Sequence, residues 1–279
     1  MIRRTLTDNK LTALNILGRT RRHLLGRHSV AVLVNSRNGL LLVDAEDCVV
    51  GRKLAYEGEY GLEELARLTS VIDKSSNLLM LGAHVGALAV SASRMCAKVT
   101  AIEANPRTFR LLELNLLING CPNVSAINVA ASDKTEMLPF VMGRTNSGGS
   151  KRAPLAGSYA YVYDAPQTIA VPAAPLDEVL RGQKFDVVMM DIEGSEYFAL
   201  KGMPSLLSSA RVLFVEFVPH HLRNVSGVSV ADFVSLITPH FSQLYVPSKD
   251  LRLTQDRFIP VLAEMFDQDE SDDGLEFSK

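Results

Sequence analysis

The chain has 279 residues, of which 47% are apolar and 22% charged, and a formal net charge of −2. This length predicts one large α/β domain with an appendage around a sizeable core, and the near-neutral balance excludes a globally basic nucleic-acid binder. Cys48, Cys96 and Cys121 stand far apart in apolar surroundings, the N-terminus lacks a signal-peptide core, and no apolar run approaches the ~18 residues of a membrane span, so a soluble cytoplasmic protein without disulfide framework, zinc site or transmembrane segment is expected.

In chain order, residues 1–27 carry Arg3, Arg4, Lys10, Arg19, Arg21, Arg22 and Arg27 against Asp8 alone. Leu11, Leu14, Leu17, Leu24 and Leu25 predict an amphipathic helix over 10–26 with a solvated basic face; an anionic membrane or acidic glycan is the less favoured partner for it. Val30–Val34, a turn at Asn38-Gly39 and Leu40–Val43 read as a hairpin. A short strand at Cys48-Val49-Val50 and a helix over Gly58–Ile72 complete an expected N-terminal cap, residues 1–75.

From residue 76 the pattern changes. Leu78–Leu81 is a continuous apolar run, as expected of a strand buried on both faces. The turn Gly82-Ala83-His84-Val85-Gly86 follows, then a small-residue helix over Ala87–Ala97, then an apolar strand, Val99–Ile102. Glu103 ends that strand, 21 positions after Gly82. Bare backbone at a turn with a carboxylate to accept ribose hydroxyls is the logic of adenosine binding. The glycine spacing fails G-x-G-x-x-G, and no G-x-x-x-x-G-K-[ST] occurs, which excludes pyrophosphate and P-loop ligands. A nucleoside without pyrophosphate remains, S-adenosylmethionine being the commonest. The alternative is a purely structural βαβ turn.

Pro106 starts a helix that stops at Asn119-Gly120, and a strand spans Val124–Ala131 before Ser132-Asp133. Residues 134–166 are rich in Gly and Ser and hold Tyr159, Tyr161 and Tyr163. They are expected to form a hairpin-bearing insertion over the site rather than a disordered linker. Strands at Ile169–Val171, Phe185–Met190, Val212–Phe217 and Phe241–Val246 then alternate with helices at Pro175–Leu180, Ser195–Ser208 and Ser229–Thr238. The whole predicts a doubly wound, mostly parallel sheet over 76–262, with 263–279 a disordered acidic tail.

Ligands of such sheets bind beyond the strand carboxyl ends. Glu103, Asp191, Glu193 and Glu216 lie there. Asp191 follows an apolar strand directly and is read as functional; Glu193 is divided between function and service as a helix cap. His220 and His221, read as extended, would point opposite ways, which argues against a two-His metal site but leaves one as a general base or a plain surface residue. His84, inside the turn, is expected to touch the cofactor.

The segments Gly82–Gly86, Ala101-Ile102-Glu103-Ala104-Asn105-Pro106, Asn115 with Asn119-Gly120, Leu176-Asp177 and above all Asp191-Ile192-Glu193-Gly194-Ser195-Glu196 resemble the FkbM-type methyltransferases over about residues 56–217. The resemblance implies a class I, Rossmann-like fold that uses S-adenosylmethionine to methylate a hydroxyl on a glycan, polyketide or lipid-linked small molecule. The combined reading assigns Gly82, Ala83, His84, Gly86, Glu103, Ala104, Asn105 and Asp191 to cofactor binding, with Ala131 and Ser132 beside the adenine. Asp191 leads the catalytic candidates, with Glu193, Glu216 and His221 behind it and no metal. Absence of an N/D-P-P-Y/F block argues against methylation of nucleobase amino groups and so against a nucleic-acid partner. Three positions depart from the family's pattern: Met80 replaces an acid, His84 an asparagine and Met189 a lysine. A nucleoside-binding regulatory or scaffold protein that kept the fold without turnover is the alternative.

Overall fold

The computed structural model describes residues 2–26 and 28–279, with side chains from residue 8 onward apart from residue 27. Of the basic arm, the side chains of Arg3, Arg4 and Arg27 lie outside this description.

Helix α1 (Ile2–Leu25) leads into the antiparallel hairpin of β1 (Ala31–Ser36) and β2 (Gly39–Asp44), paired from Ala31↔Asp44 to Ser36↔Gly39. The next segment departs from expectation. Cys48-Val49 is a bend and Val50 already helical, not a strand, because the Asp47 carboxylate accepts from the Val49 and Gly51 amides where helix α2 (Val50–Tyr56) starts. The helix expected over Gly58–Ile72 is confined to α3 (Leu62–Thr69), since Gly58 and Gly61 both adopt positive φ.

The central sheet begins with β3 (Asn77–Leu81), α4 (Ala87–Ser93), β4 (Lys98–Ile102), α5 (Pro106–Ile118) and β5 (Val124–Ile127). Asn105 caps α5 by accepting from the Arg107 amide. On that helix Asn115 and Asn119 lie one turn apart and act as a strand edge toward β2. Each amide accepts from and donates to one β2 residue: Asn115 pairs with Leu42, and Asn119 with Leu40. The hairpin is thereby bolted to the nucleotide-type fold.

The chain then leaves the central sheet. Strands β6 (Ala130–Ala131), β7 (Glu136–Met142), β8 (Lys151–Arg152) and β9 (Gln167–Ala174) form a separate sheet in the order β6-β9-β7-β8. Ile169–Val171, expected in the main sheet, therefore belongs to the insertion; it pairs antiparallel with β7, which a local apolar run cannot reveal.

After α6 (Leu176–Val179) come β10 (Val187–Met190), α7 (Glu196–Lys201), α8 (Pro204–Ser209) and β11 (Val212–Phe217). The single helix expected over Ser195–Ser208 is broken at Met203, just before Pro204. A single turn, α9 (Pro219–His221), continues as a π-type turn over Leu222–Ser226, so His220 and His221 are helical and not extended. Helix α10 (Val230–Ser235), β12 (Gln243–Val246), β13 (Leu251–Thr254) and α11 (Gln255–Asp267) follow.

The acidic tail is ordered, contrary to expectation. Residues Asp272–Ser278 form β14, antiparallel to β11 on one side and β12 on the other. Leu275 and Phe277, on either side of Glu276, are fully buried and so turn one face of the strand to the core. The central sheet runs β13-β12-β14-β11-β10-β3-β4-β5, with β11, β10, β3, β4 and β5 parallel. Strand order reverses between β3 and β10, and the crevice opens at their carboxyl ends.

Candidate active site

Gly82 follows β3 with φ +81, and its amide and that of Ala83 both donate to the Ile102 carbonyl at 3.0 Å. A Cβ at Gly82 would collide with the Asp191 carbonyl oxygen on the neighbouring strand end. Only glycine allows that approach. His84 takes φ +50, an unusual conformation for a side-chain-bearing residue, and its amide donates to Glu103 Oε2 at 2.8 Å. The Asn105 amide donates to Glu103 Oε1, also at 2.8 Å. Burial pushes the Glu103 carboxyl up to about 7 against those two bonds. Each oxygen retains one lone pair, so two further donors are accommodated.

A cavity of about 570 Å³ opens beside this turn. One end is apolar: Ala104, Val129, Ala130, Ala131, and Leu138 and Phe140 of the second sheet. The other carries Asp191, Glu193, Glu216 and, from the tail strand, Asp273. The cap closes it with residues of α2 and α3, and Arg67 reaches across to donate to the Gly274 carbonyl at 2.9 Å. Nine carboxylate side chains line the cavity against two basic ones, Lys53 and Arg67. Its field therefore favours cations and opposes phosphates.

Asp191 presents open surface to the cavity yet is ringed by protein and like charge. Burial, then Glu216, Glu193 and Glu196, raise its carboxyl well above the usual range. Glu216 is raised for the same reasons, burial first and then Glu193 and Glu196. Glu193 behaves oppositely. Burial alone would raise it, but Lys151 Nζ at 2.8 Å and His221 Nε2 at 3.3 Å hold it below the ordinary carboxylate value. Glu193 also has φ +57, the second side-chain-bearing cavity residue in the left-handed region. Burial first and then Lys151, which lies 3.3 Å from Nε2, lower the His221 imidazole from its ordinary value; Nδ1 lies 3.8 Å from Glu216 Oε2 and has no hydrogen bond.

A second polar chain crosses the cap. Ser147 donates its hydroxyl to Asp47 Oδ2 and meets His84 Nε2 at 2.6 Å. Since the hydroxyl proton goes to the carboxylate, Ser147 accepts from Nε2–H, leaving His84 Nδ1 as a bare acceptor.

Of the residues singled out by sequence, Gly82, Ala83, His84, Glu103, Ala104, Ala131, Asp191, Glu193 and Glu216 share this cavity. Others do not line it. Gly86 is the turn into α4, packed against Leu112; Asn105 is the α5 cap that also holds Glu103; and the Ser132 hydroxyl accepts from Arg152. His221 faces a neighbouring, smaller cavity. Sequence reasoning missed Lys151, Asp47, Ser147, Phe140 and Asp273. Lys151 and Ser147 sit in a Gly/Ser-rich stretch with no pattern to mark them, whereas the Leu275/Phe277 alternation would have found the strand that carries Asp273. Among the described residues no group of three or more His, Cys, Asp or Glu is arranged to hold a metal ion.

The switch-point cavity, the glycine turn and the strand-end carboxylate define a class I methyltransferase fold. The methyltransferase FkbM domain model matches residues 81–238, more than half of the sequence, and the chain belongs to that family. Membership implies S-adenosylmethionine as methyl donor. Among solved structures, the chain is similar to methyltransferase FkbM from Methylobacillus flagellatus KT, at 20% identity over 74% of this chain and 44% of that one, TM-score 0.45. Trm5b from Pyrococcus abyssi matches at 12% identity over 77% and 48%, TM-score 0.42. An rRNA methylase from Streptococcus thermophilus matches at 12% over 78% and 94%, TM-score 0.43. The chain thus spans less than half the length of the first two. No curated protein sequence matches it.

Proposed function

We propose that the protein is an S-adenosylmethionine-dependent O-methyltransferase acting on a hydroxyl of a small molecule, a glycan, polyketide or lipid-linked acceptor, with residues 1–75 as a cap over the site. The observation that carries this reading is Glu103: a buried carboxylate whose two oxygens each hold one backbone amide and keep one lone pair, beside a turn where a Cβ has no room. That arrangement suits two ribose hydroxyls with the nucleoside against bare backbone. The apolar end suits adenine, and the carboxylate-rich end suits a sulfonium and an amino group. His84 offers a bare Nδ1 in the turn, where Met80 offers no acceptor.

Bound S-adenosylmethionine supplies an electrophilic methyl group, so the chain's own task is to orient the acceptor and take its proton. Asp191 is the leading base, because it follows β10 directly, lies exposed on the cavity wall, and its backbone carbonyl meets the glycine turn at Gly82. Glu193, fixed by Lys151, orients the acceptor, with Glu216 and His221 as neighbouring proton partners. The acidic lining argues against a polyphosphate acceptor such as RNA, and the reading places the protein in the cytoplasm.

Methyl transfer from labelled S-adenosylmethionine to a panel of hydroxylated small molecules and to tRNA transcripts tests this. Label in the former supports the reading; label in RNA alone refutes it. Binding without transfer to any acceptor favours the regulatory alternative, for which Met80 and Met189 in the cavity wall are the evidence.

A further inference from the structure

Behind Glu193 lies a second cavity, of about 200 Å³. Val49, Asn146 and Glu193 line both cavities, so these three form the partition between them. The smaller one is walled by Leu11 and Leu14 of α1, by Tyr161 and Tyr163 of the insertion, and by His220 and His221. The cap, the insertion and the turn after β11 therefore meet there, although no two of them are close in sequence.

Two features point to a ligand. Tyr161 is only 7% exposed, yet its hydroxyl makes no hydrogen bond; nor does the buried Nε2 of His220. The Asn224 amide nitrogen donates to the His220 carbonyl at 2.8 Å and lies 3.1 Å from His220 Nδ1, so both its protons are engaged there and neither is left for the Tyr161 hydroxyl. Buried polar atoms of folded proteins are nearly always paired, so two orphans on one cavity wall are donors and acceptors awaiting a partner. The charges are already matched. Lys151 is paired with Glu193, and Asp164 accepts from the Arg144 and Thr145 amides. A charged guest would find no free counter-charge.

We infer that this cavity is the acceptor subsite, and that it takes a neutral hydroxylated six-membered ring. The inference rests on the O-methyltransferase reading above. At ~30 Å³ per water the space equals roughly six or seven waters, enough for one ring and its substituents. The tyrosine and leucine walls cover the ring faces, Tyr161 Oη and His220 Nε2 bind ring hydroxyls, and the reacting hydroxyl reaches the larger cavity across the partition at Glu193. A sugar and a phenolic or cyclohexanol ring share this chemistry.

Saturation-transfer-difference NMR on the full chain, with methyl glucoside, cyclohexanol and phenol as separate probes, distinguishes the sources. At least one probe is expected to receive saturation, with its signal unchanged by added S-adenosylhomocysteine in excess. Tyr161→Phe should weaken that probe roughly two- to tenfold, the scale of one neutral hydrogen bond, while leaving S-adenosylhomocysteine affinity by calorimetry unchanged. Ala160→Leu, which fills the cavity, should abolish probe binding in a protein of wild-type circular dichroism. Three silent probes, displacement of the probe by S-adenosylhomocysteine, or equal probe affinity in Tyr161→Phe would overturn the subsite. Probe binding without any S-adenosylhomocysteine binding would instead overturn the methyltransferase reading and leave the pocket standing.

Discussion

Replacing Glu103 with glutamine tests the carboxylate to which the proposed function assigns the ribose. The wild-type carboxylate accepts from the His84 and Asn105 amides at 2.8 Å each. A carboxamide has one accepting oxygen, so one of those amides would face an NH₂ group, at a cost of about 1–3 kcal/mol for an unmet buried donor. Against this stands the burial of the charge. The carboxyl is moved from 4.5 to about 7, and at 1.36 kcal/mol per pH unit that displacement is worth roughly 3 kcal/mol. The folded state holds the proton more tightly than the unfolded chain. Its contribution is therefore full below pH ~4.5 and is lost as pH rises through about 7. Glutamine does not titrate. Wild type should exceed Glu103→Gln in stability by about 1–3 kcal/mol near pH 5, and the difference should shrink by roughly 2–3 kcal/mol by pH 8. Urea unfolding of both proteins across this range measures it. Ribose hydroxyls that donate to Glu103 favour its charged form, so wild-type affinity for S-adenosylhomocysteine should rise with pH up to about 7 and then level off. The variant should bind weakly and without that dependence. Parallel stability curves, or a variant that binds S-adenosylhomocysteine as tightly as wild type, would refute the reasoning.

Three other perturbations probe separate parts of the structure. Asn115→Leu removes bonds to Leu42 N, Leu42 O and Val85 O, and at ~1 kcal/mol each should cost about 3 kcal/mol in urea unfolding; a loss under ~0.5 kcal/mol would mean the hairpin is held by apolar packing alone. Phe277 is fully buried against Phe258, with ring centroids 5.4 Å apart, so Phe277→Ala should cost about 3–5 kcal/mol, whereas a tail dispensable for folding would show almost none. Lys151→Met removes the cation that holds the Glu193 carboxyl low, so that carboxyl should move upward. A carbon-detected titration of labelled glutamate would see this directly, and an unmoved Glu193 would assign its low value to His221 instead.

Much of the central sheet was legible because the information is local. A strand buried on both faces writes itself as an unbroken apolar run, as in Leu78–Leu81 and Val212–Val215, whatever lies beside it. Gly82 and Glu103 were legible for a related reason: the βαβ unit fixes the distance between its first turn and its second strand end, so chemistry there has a fixed spacing in sequence. The D-I-E-G block carried its position in the same way, at the end of an apolar strand.

What only the tertiary structure decided is which charges meet. Asp191 and Glu193 are two residues apart in the same short block, yet the first is raised among carboxylates and the second held low by Lys151, from a strand residue 42 positions earlier in the chain. The cation that separates their behaviour sits in a Gly/Ser-rich insertion whose course is set by pairing with β9 and by side-chain bonds to the cap, neither of which leaves a periodic trace. The tail shows the same limit from the other side. Its acidic composition describes the face turned to solvent and cavity, while Leu275 and Phe277, too few to register as an apolar run, place it between β11 and β12 because those strand edges lie open to receive it.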